Sequence, residues 1–174
     1  MSRNPTEPIL CEINPQLVSS YKAVRLRALQ DTPSAFGSTY ARESQFSDED
    51  WLQRSLNLCT PRSVGYLACN HGACCGIAAA FLAGRNPLEA HVVSVWVAPE
   101  HRKSGVARQL MDAIQTWAAH RGAHTLVLMV TSNNHTAIDF YQRNGFTMTG
   151  HTEPYPNDPA LIEHEMSKPI PKLL

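Results

Sequence analysis

Residues 91–122, HVVSVWVAPEHRKSGVARQLMDAIQTWAAHRG, decide how the rest of the chain is read. The opening residues Val92, Val93, Val95, Trp96 and Val97 are apolar and mostly β-branched, the composition of a buried strand. Pro99 removes a ladder donor and stops that strand. Residues 100–104 form a polar turn, and Gly105 follows. From Val106 the period becomes helical, with Val106, Leu110, Ile114, Trp117 and Ala118 on one face. His120 and Arg121 suit the carbonyl end of that helix, and Gly122 supplies a left-handed cap.

A strand, a glycine turn and a helix in so short a span have a chemical use. The first turn of a helix leaves backbone N–H groups without partners, and its dipole favours an anion. Gly105 lets a ligand approach the main chain, Ala107 keeps the next position small, and Arg102 and Lys103 add positive charge. The ligand expected there is a phosphate or pyrophosphate. No G-x-x-x-x-G-K-[ST] run exists for a nucleoside triphosphate, and Gly105 lacks the companions of a G-x-G-x-x-G dinucleotide turn. Taken alone, the glycine also reads as an ordinary strand-to-helix turn.

Residues 102–107, RKSGVA, match R/Q-x-x-G-x-G/A, and residues 134–146, NHTAIDFYQRNGF, match N-x-x-A-x-x-x-Y-x-x-x-G-F. In this order and spacing the two blocks resemble the acyl-coenzyme A signature and the following helix of the GNAT N-acetyltransferase superfamily. The resemblance is firm over about residues 60–167. Residues 25–43, RLRALQDTPSAFGSTYARE, are also similar to the helix and loop that some members place beside the acceptor. The resemblance implies an α/β (α+β) fold: a mixed, mainly antiparallel twisted sheet with a splayed central parallel strand pair and helices on both faces.

It further implies acetyl transfer from acetyl-coenzyme A, the cosubstrate, directly to an amine. The backbone of Arg102, Lys103, Ser104, Gly105, Val106 and Ala107 would hold the pyrophosphate. A donor near Trp96 or Val97 would hold the thioester carbonyl, where negative charge develops. Tyr141 matches the acid that protonates the leaving thiolate; without the motif it reads as a core tyrosine. Asn134 matches a cofactor contact, or serves simply as a helix cap. Phe36, Gly37, Ser38 and Tyr40 fall in the loop expected to select the acceptor. Many relatives carry a carboxylate within the central strand, but the positions that correspond by spacing are Val93 and Ser94, and neither is a base. His91, titratable near neutrality, is the catalytic base expected from this strand. Glu43, Glu163, Glu165 and a water chain stay open as alternatives.

The chain of 174 residues suggests one domain with a full hydrophobic core, its cofactor core at about residues 60–167 and acceptor-side helices at about 14–56. Fifteen basic and fifteen acidic residues balance, so charge gives no case for nucleic acid. The beginning, MSRNPTEPIL, lacks the apolar core of a signal peptide, and no apolar run approaches membrane-spanning length. A cytoplasmic protein acting as a monomer or homodimer is expected, with an amine acceptor as its partner. Five cysteines are an odd number and mostly sit in apolar strands, which argues against a disulfide framework. Cys69, His71, Cys74 and Cys75 could ligate a metal, but they flank a tight turn and lack a second spaced pair; no metal site is expected.

The remaining elements follow from caps and periodicity. Residues 8–13 read as an edge strand, and Asn14-Pro15 starts an amphipathic helix through about Gln30. Residues 34–44 read as irregular, and Ser47 caps a short acidic helix to about Leu56. Strands are expected at about 63–68 and 73–83, then a turn at 84–87, then the central strand. Residues 125–130 form a wholly apolar strand covered on both faces. Ser132 or Asn133 caps the next helix. Final strands at 146–150 and about 161–166 flank a proline-rich loop at 151–159. Three functional classes remain: a small-amine acetyltransferase, a protein acetyltransferase acting on an N-terminus or lysine, and a coenzyme A-binding module without turnover.

Overall fold

The computed structural model describes residues 7–86 and 88–173, so the first six residues and Pro87 of the expected 84–87 turn lie outside it. The architecture is one eight-stranded sheet with helices packed on it. In chain order the elements are β1 (Ile9–Glu12), α1 (Val18–Asp31), α2 (Tyr40–Glu43), α3 (Asp48–Asn57), β2 (Cys59–Thr60), β3 (Ser63–Asn70), β4 (Ala73–Leu82) and β5 (Glu89–Val97). They continue with α4 (Val106–His120), β6 (Thr125–Thr131), α5 (His135–Arg143), β7 (Thr147–Tyr155) and β8 (Asp158–Pro169). The sheet runs β1-β3-β4-β5-β6-β8-β7, with β2 on β3. Every pairing is antiparallel except β5 with β6.

Helix α4 packs on β3, β4 and β5, and α1 packs on β4. β4 is accordingly buried at every position from Cys75 to Ala80, as a strand covered on both faces must be. The expected inner face of α4, Val106, Leu110, Ile114, Trp117 and Ala118, is buried in full. Ser47 and Asp50 form a reciprocal capping box at α3: Ser47 Oγ accepts from the Asp50 amide, and the Asp50 carboxylate accepts from the Ser47 amide.

Four readings are corrected. Residues 151–159 are not a loop: β7 and β8 form a long hairpin that turns only at Pro156-Asn157. Proline is tolerated there because β7 is an edge strand. Residues 34–44 hold a short 3-10 turn, Pro33–Ala35, and the one-turn helix α2, capped by Thr39. Neither Ser132 nor Asn133 caps α5; Asn134 does, in keeping with its alternative reading as a helix cap, its side-chain oxygen accepting from the Ala137 amide. Cys69 and Cys74 form a disulfide. The Asn70-His71-Gly72 turn sets them directly opposite each other in the β3–β4 register, so the pairing depends on a register that residue counting did not supply. Cys75 is buried, Cys11 half-buried and Cys59 exposed.

Candidate active site

The site begins with an interruption in the sheet. β5 and β6 pair only from Glu89 opposite Thr125 to His91 opposite Val127. Beyond that point the register of β5 on β4 slips, from Ile77 opposite Trp96 to Ala79 opposite Val93, so β5 carries one extra residue and bends. The kink is at Ser94, held at φ +59°, a conformation that costs a non-glycine residue of the order of 1 kcal/mol or more. Past the kink the parallel strands are no longer partners, and a cleft opens between them. It is lined by Ala35, residues 92–95 of β5, residues 128–131 of β6, Asn134, Ala137 and Tyr141 of α5, and Glu163 of β8.

A buried ion network supports the kink. Glu43, wholly buried, accepts two hydrogen bonds of 2.9 Å from Arg25 Nε and Nη2. Arg25 Nη1 then donates to Ser94 Oγ at 2.9 Å. The guanidinium also lies over the Phe36 ring, 4.8 Å from its centroid, and Arg54 approaches Glu43 at 3.5 Å. Burial pushes the Glu43 carboxyl up, but the hydrogen bonds and charge of Arg25, with Arg54, outweigh it and hold the group below its ordinary value. Sequence reasoning missed Arg25. Its signal was present: position 25 falls among Tyr21, Val24 and Ala28 on the buried face of α1, where an arginine needs a partner.

Tyr141 is buried, and its hydroxyl makes no hydrogen bond among the described residues. It belongs to the lining of the cleft, and burial raises its phenol far above the ordinary value. Its ring packs against Phe140 and Phe146. Glu163 is half-buried; burial first, then the charge of Glu153 across the hairpin, raises its carboxyl.

The turn after β5 is the second part of the site. Gly105 occupies the N-cap of α4 at φ +89°, and α4 has no side-chain cap, unlike α3 and α5. A Cβ on Gly105 would meet nothing within 4 Å, so the approach to the first turn is open. Lys103, Ser104 and Gly105 are exposed, Val106 is buried and Ala107 is half-buried. Arg102 folds back: Nε donates to the Val97 carbonyl at 3.0 Å, and Nη2 pairs with Asp31 Oδ2. Asp31 also accepts from the Trp96 indole at 3.0 Å. Burial raises its carboxyl, but Trp96, Thr32 and Arg102 together hold it below its ordinary value. The last residue of α1 thus clamps the turn, a role no sequence signal marked. Trp96 and Val97 stand at the strand end beside this clamp rather than in the cleft lining.

The expected acceptor loop divides. None of Phe36, Gly37, Ser38 and Tyr40 lines the cleft, which their neighbour Ala35 reaches; Phe36 is buried under Arg25, with its carbonyl accepting from Tyr155 Oη at 2.6 Å and Asn157 Nδ2 at 3.2 Å. Gly37 and Tyr40 are exposed and Ser38 is half-buried. The candidate bases divide too. His91 stacks on Phe81 with centroids 5.4 Å apart, stands 3.5 Å from Glu89, and is not among the residues lining the cleft. Glu43 is committed to Arg25, and Glu165 accepts from Thr149 Oγ1 at 2.8 Å outside the cleft. Glu163 alone of the four lines it.

A splayed parallel pair, a buried phenol at the gap and an uncapped helix N-terminus behind a positive-φ glycine together make a cleft with an anion-accepting helix end at its mouth. The family model described as the acetyltransferase (GNAT) family matches residues 25–146, and the chain belongs to that family. Among curated relatives, the chain is 35% identical over 83 residues to the N-terminal acetyltransferase B complex catalytic subunit naa20 of Schizosaccharomyces pombe, a match covering 46% of each chain. It is 42% identical over 59 residues to streptothricin acetyltransferase of Streptomyces lavendulae, 34% of this chain and 31% of that one. The matches thus span less than half the length of these relatives. Of solved structures, nourseothricin acetyltransferase superposes with a TM-score of 0.60 at 35% identity, over 64% of this chain and 67% of that one. The fold is shared more fully with yncA of Salmonella typhimurium, solved with its cofactor acetyl-CoA, at a TM-score of 0.77 and 16% identity over 97% of each chain. Among the described residues no helix is long and apolar enough to cross a membrane.

Proposed function

We propose that this protein transfers the acetyl group of acetyl-coenzyme A to the primary amine of a small molecule, by direct attack within a ternary complex. Family membership supports the acyl donor. The backbone from Arg102 to Ala107, at the open N-terminus of α4, would take the pyrophosphate, with Lys103 exposed beside it. The pantetheine arm would enter between β5 and β6, pairing its amides with strand groups that have lost their partner. Asn134 stands at the same gap, although its side-chain oxygen already caps α5.

The observation that carries the small-amine reading is a latch on the acceptor side. Tyr155 at the end of β7 donates to the carbonyls of Phe36 and Pro33, Asn157 donates to Phe36, and Thr131 donates to the Ser34 carbonyl at 3.3 Å. These bonds tie the β7–β8 turn and β6 to the loop after α1. A peptide needs an open groove across that side, whereas a compact amine needs only the cleft mouth near Ala35. Tyr40, exposed at the start of α2, would contact such an acceptor in this reading.

Tyr141 supplies the leaving group with a donor. The burial that keeps its phenol neutral also makes full release of its proton uphill toward a thiolate of ordinary pKa near 8.5. Its role is therefore to donate a hydrogen bond to the sulfur as the C–S bond breaks, passing on its proton as the nitrogen returns one.

The naa20 match favours a second reading, acetylation of a peptide N-terminus. One experiment separates the two: a panel of small amines, polyamines and short peptides with acetyl-coenzyme A, read by thiol release. Faster release with small amines is expected. Peptides as the best acceptors would favour the second reading, and cofactor binding without release would leave a binding module.

A further inference from the structure

We infer that Glu163 is the residue that receives the acceptor's ammonium group and removes its proton. The inference rests on the acetyl-transfer reading above and names the base in that reaction. Glu163 lies on β8, opposite Thr131 of β6 and Glu153 of β7, so its strand borders the same cleft as Tyr141 on α5. It is half-buried, and among the described residues its carboxylate has no hydrogen bond or ion pair. A carboxylate in that position is costly to keep unless something cationic joins it.

Among the described residues the surroundings supply no such cation. Glu153 faces it from β7 and carries the same charge, and Glu153 is itself engaged by His151 at 3.0 Å. Tyr141 on α5 is neutral. Arg25, behind Ser94 on the β5 wall, is committed to Glu43 and Ser94. Burial and Glu153 both raise the Glu163 carboxyl, which brings it closer to the range where a base can accept a proton near neutral pH. A primary ammonium entering past Ala35 meets the unpaired carboxylate on one side and the thioester on the other.

The proton count closes. The ammonium gives one proton to Glu163, and the free amine attacks the thioester carbonyl to form the C–N bond. As the tetrahedral intermediate collapses, the C–S bond breaks and Tyr141 protonates the departing sulfur. The second nitrogen proton restores the Tyr141 phenol, and Glu163 releases its proton to solvent. The products are the amide, coenzyme A and one proton.

The test is the pH dependence of kcat/KM for an accepted amine, measured on the wild type, Glu163→Gln and Glu153→Gln. In the wild type, the reactive pair is ammonium with ionised Glu163. The profile should therefore rise through the Glu163 pKa and level off well below the pKa of the amine. Glu163→Gln can use only amine already neutral in solution, so its rate should fall about a hundredfold or more at neutral pH. Its profile should also keep climbing with unit slope toward the amine's pKa. Glu153→Gln removes the facing like charge and should move the wild-type limb to lower pH, a shift that a merely structural role would not produce. Acetyl-coenzyme A affinity and melting temperature, measured on the same samples, check that each variant is folded. Superimposable profiles for wild type and folded Glu163→Gln would remove Glu163 from the role and leave acetyl transfer standing. Absence of thiol release by the wild type with every amine would overturn both.

Discussion

Tyr141 and Gly105 carry the reading at the scale of single residues, and each can be altered at one atom or one dihedral. Tyr141→Phe removes only the hydroxyl, which has no partner among the described residues, while the ring keeps its packing on Phe140 and Phe146. Turnover should fall roughly tenfold to a thousandfold with melting temperature and acetyl-coenzyme A affinity nearly constant. A stability change with turnover intact would return Tyr141 to the core. At Gly105 space is open, so a Glu side chain would fit, but it would put an anion at the mouth of α4 and a Cβ at φ +89°. Calorimetry on Gly105→Glu should show acetyl-coenzyme A affinity reduced more than tenfold, about 1.4 kcal/mol. Phe36, by contrast, does not isolate acceptor selection, because its side chain is buried. Tyr40→Ala is the cleaner probe: the KM for amine should change while cofactor affinity holds. The two motif blocks that contain Gly105 and Tyr141 were legible in the sequence because their signals are fixed local spacings. Arg25, Asp31 and the kink at Ser94 were not legible, since each acquires its meaning from a partner far along the chain.

Among the elements, α1 does the most to join the two halves of the site. Its middle anchors the kink of β5 through Arg25, and its last residue, Asp31, clamps the turn before α4. Arg25→Met would leave Glu43 buried with Arg54 at 3.5 Å and the Ser38 hydroxyl but without its bidentate partner, and should cost roughly 3–5 kcal/mol in denaturant unfolding. The pH dependence has a definite sign. The Glu43 carboxyl is held below its ordinary value in the folded state, so its contribution is complete above the ordinary glutamate pKa of about 4.3. It is lost as pH falls through the lower folded value. Glu43→Gln should therefore flatten the acid side of a plot of melting temperature against pH. The β3–β4 hairpin makes a smaller contribution. The Cys69–Cys74 bridge closes a loop with a sequence separation of five, for which chain entropy gives about 2 kcal/mol. A reductant should lower stability by no more than that and leave the fold intact.

The cleft belongs to the whole molecule, since β5, β6, α5, β8 and the loop after α1 each supply part of its wall. Ala137 lies in that wall on the first turn of α5, half-buried at the edge of the core. Ala137→Phe should obstruct the path between the splayed strands while sparing the fold. Acetyl-coenzyme A binding should weaken at least tenfold with little change in melting temperature; unchanged binding would place the pantetheine path elsewhere. Sequence by itself determined the elements whose signals are local: the strand and helix of residues 91–122, the caps at Asn14 and Ser47, and the two motif blocks. Those follow from period, capping chemistry and backbone freedom, all contained within a few neighbouring residues. Only the tertiary structure decided the rest. The Cys69–Cys74 bridge, the length of the β7–β8 hairpin, the latch of Tyr155 on the loop after α1 and the burial of Glu43 all depend on register and packing between distant segments. So does the choice among candidate bases. His91, Glu43, Glu163 and Glu165 are equally titratable as letters, and what separates them is which one the packing leaves unpaired beside the cleft.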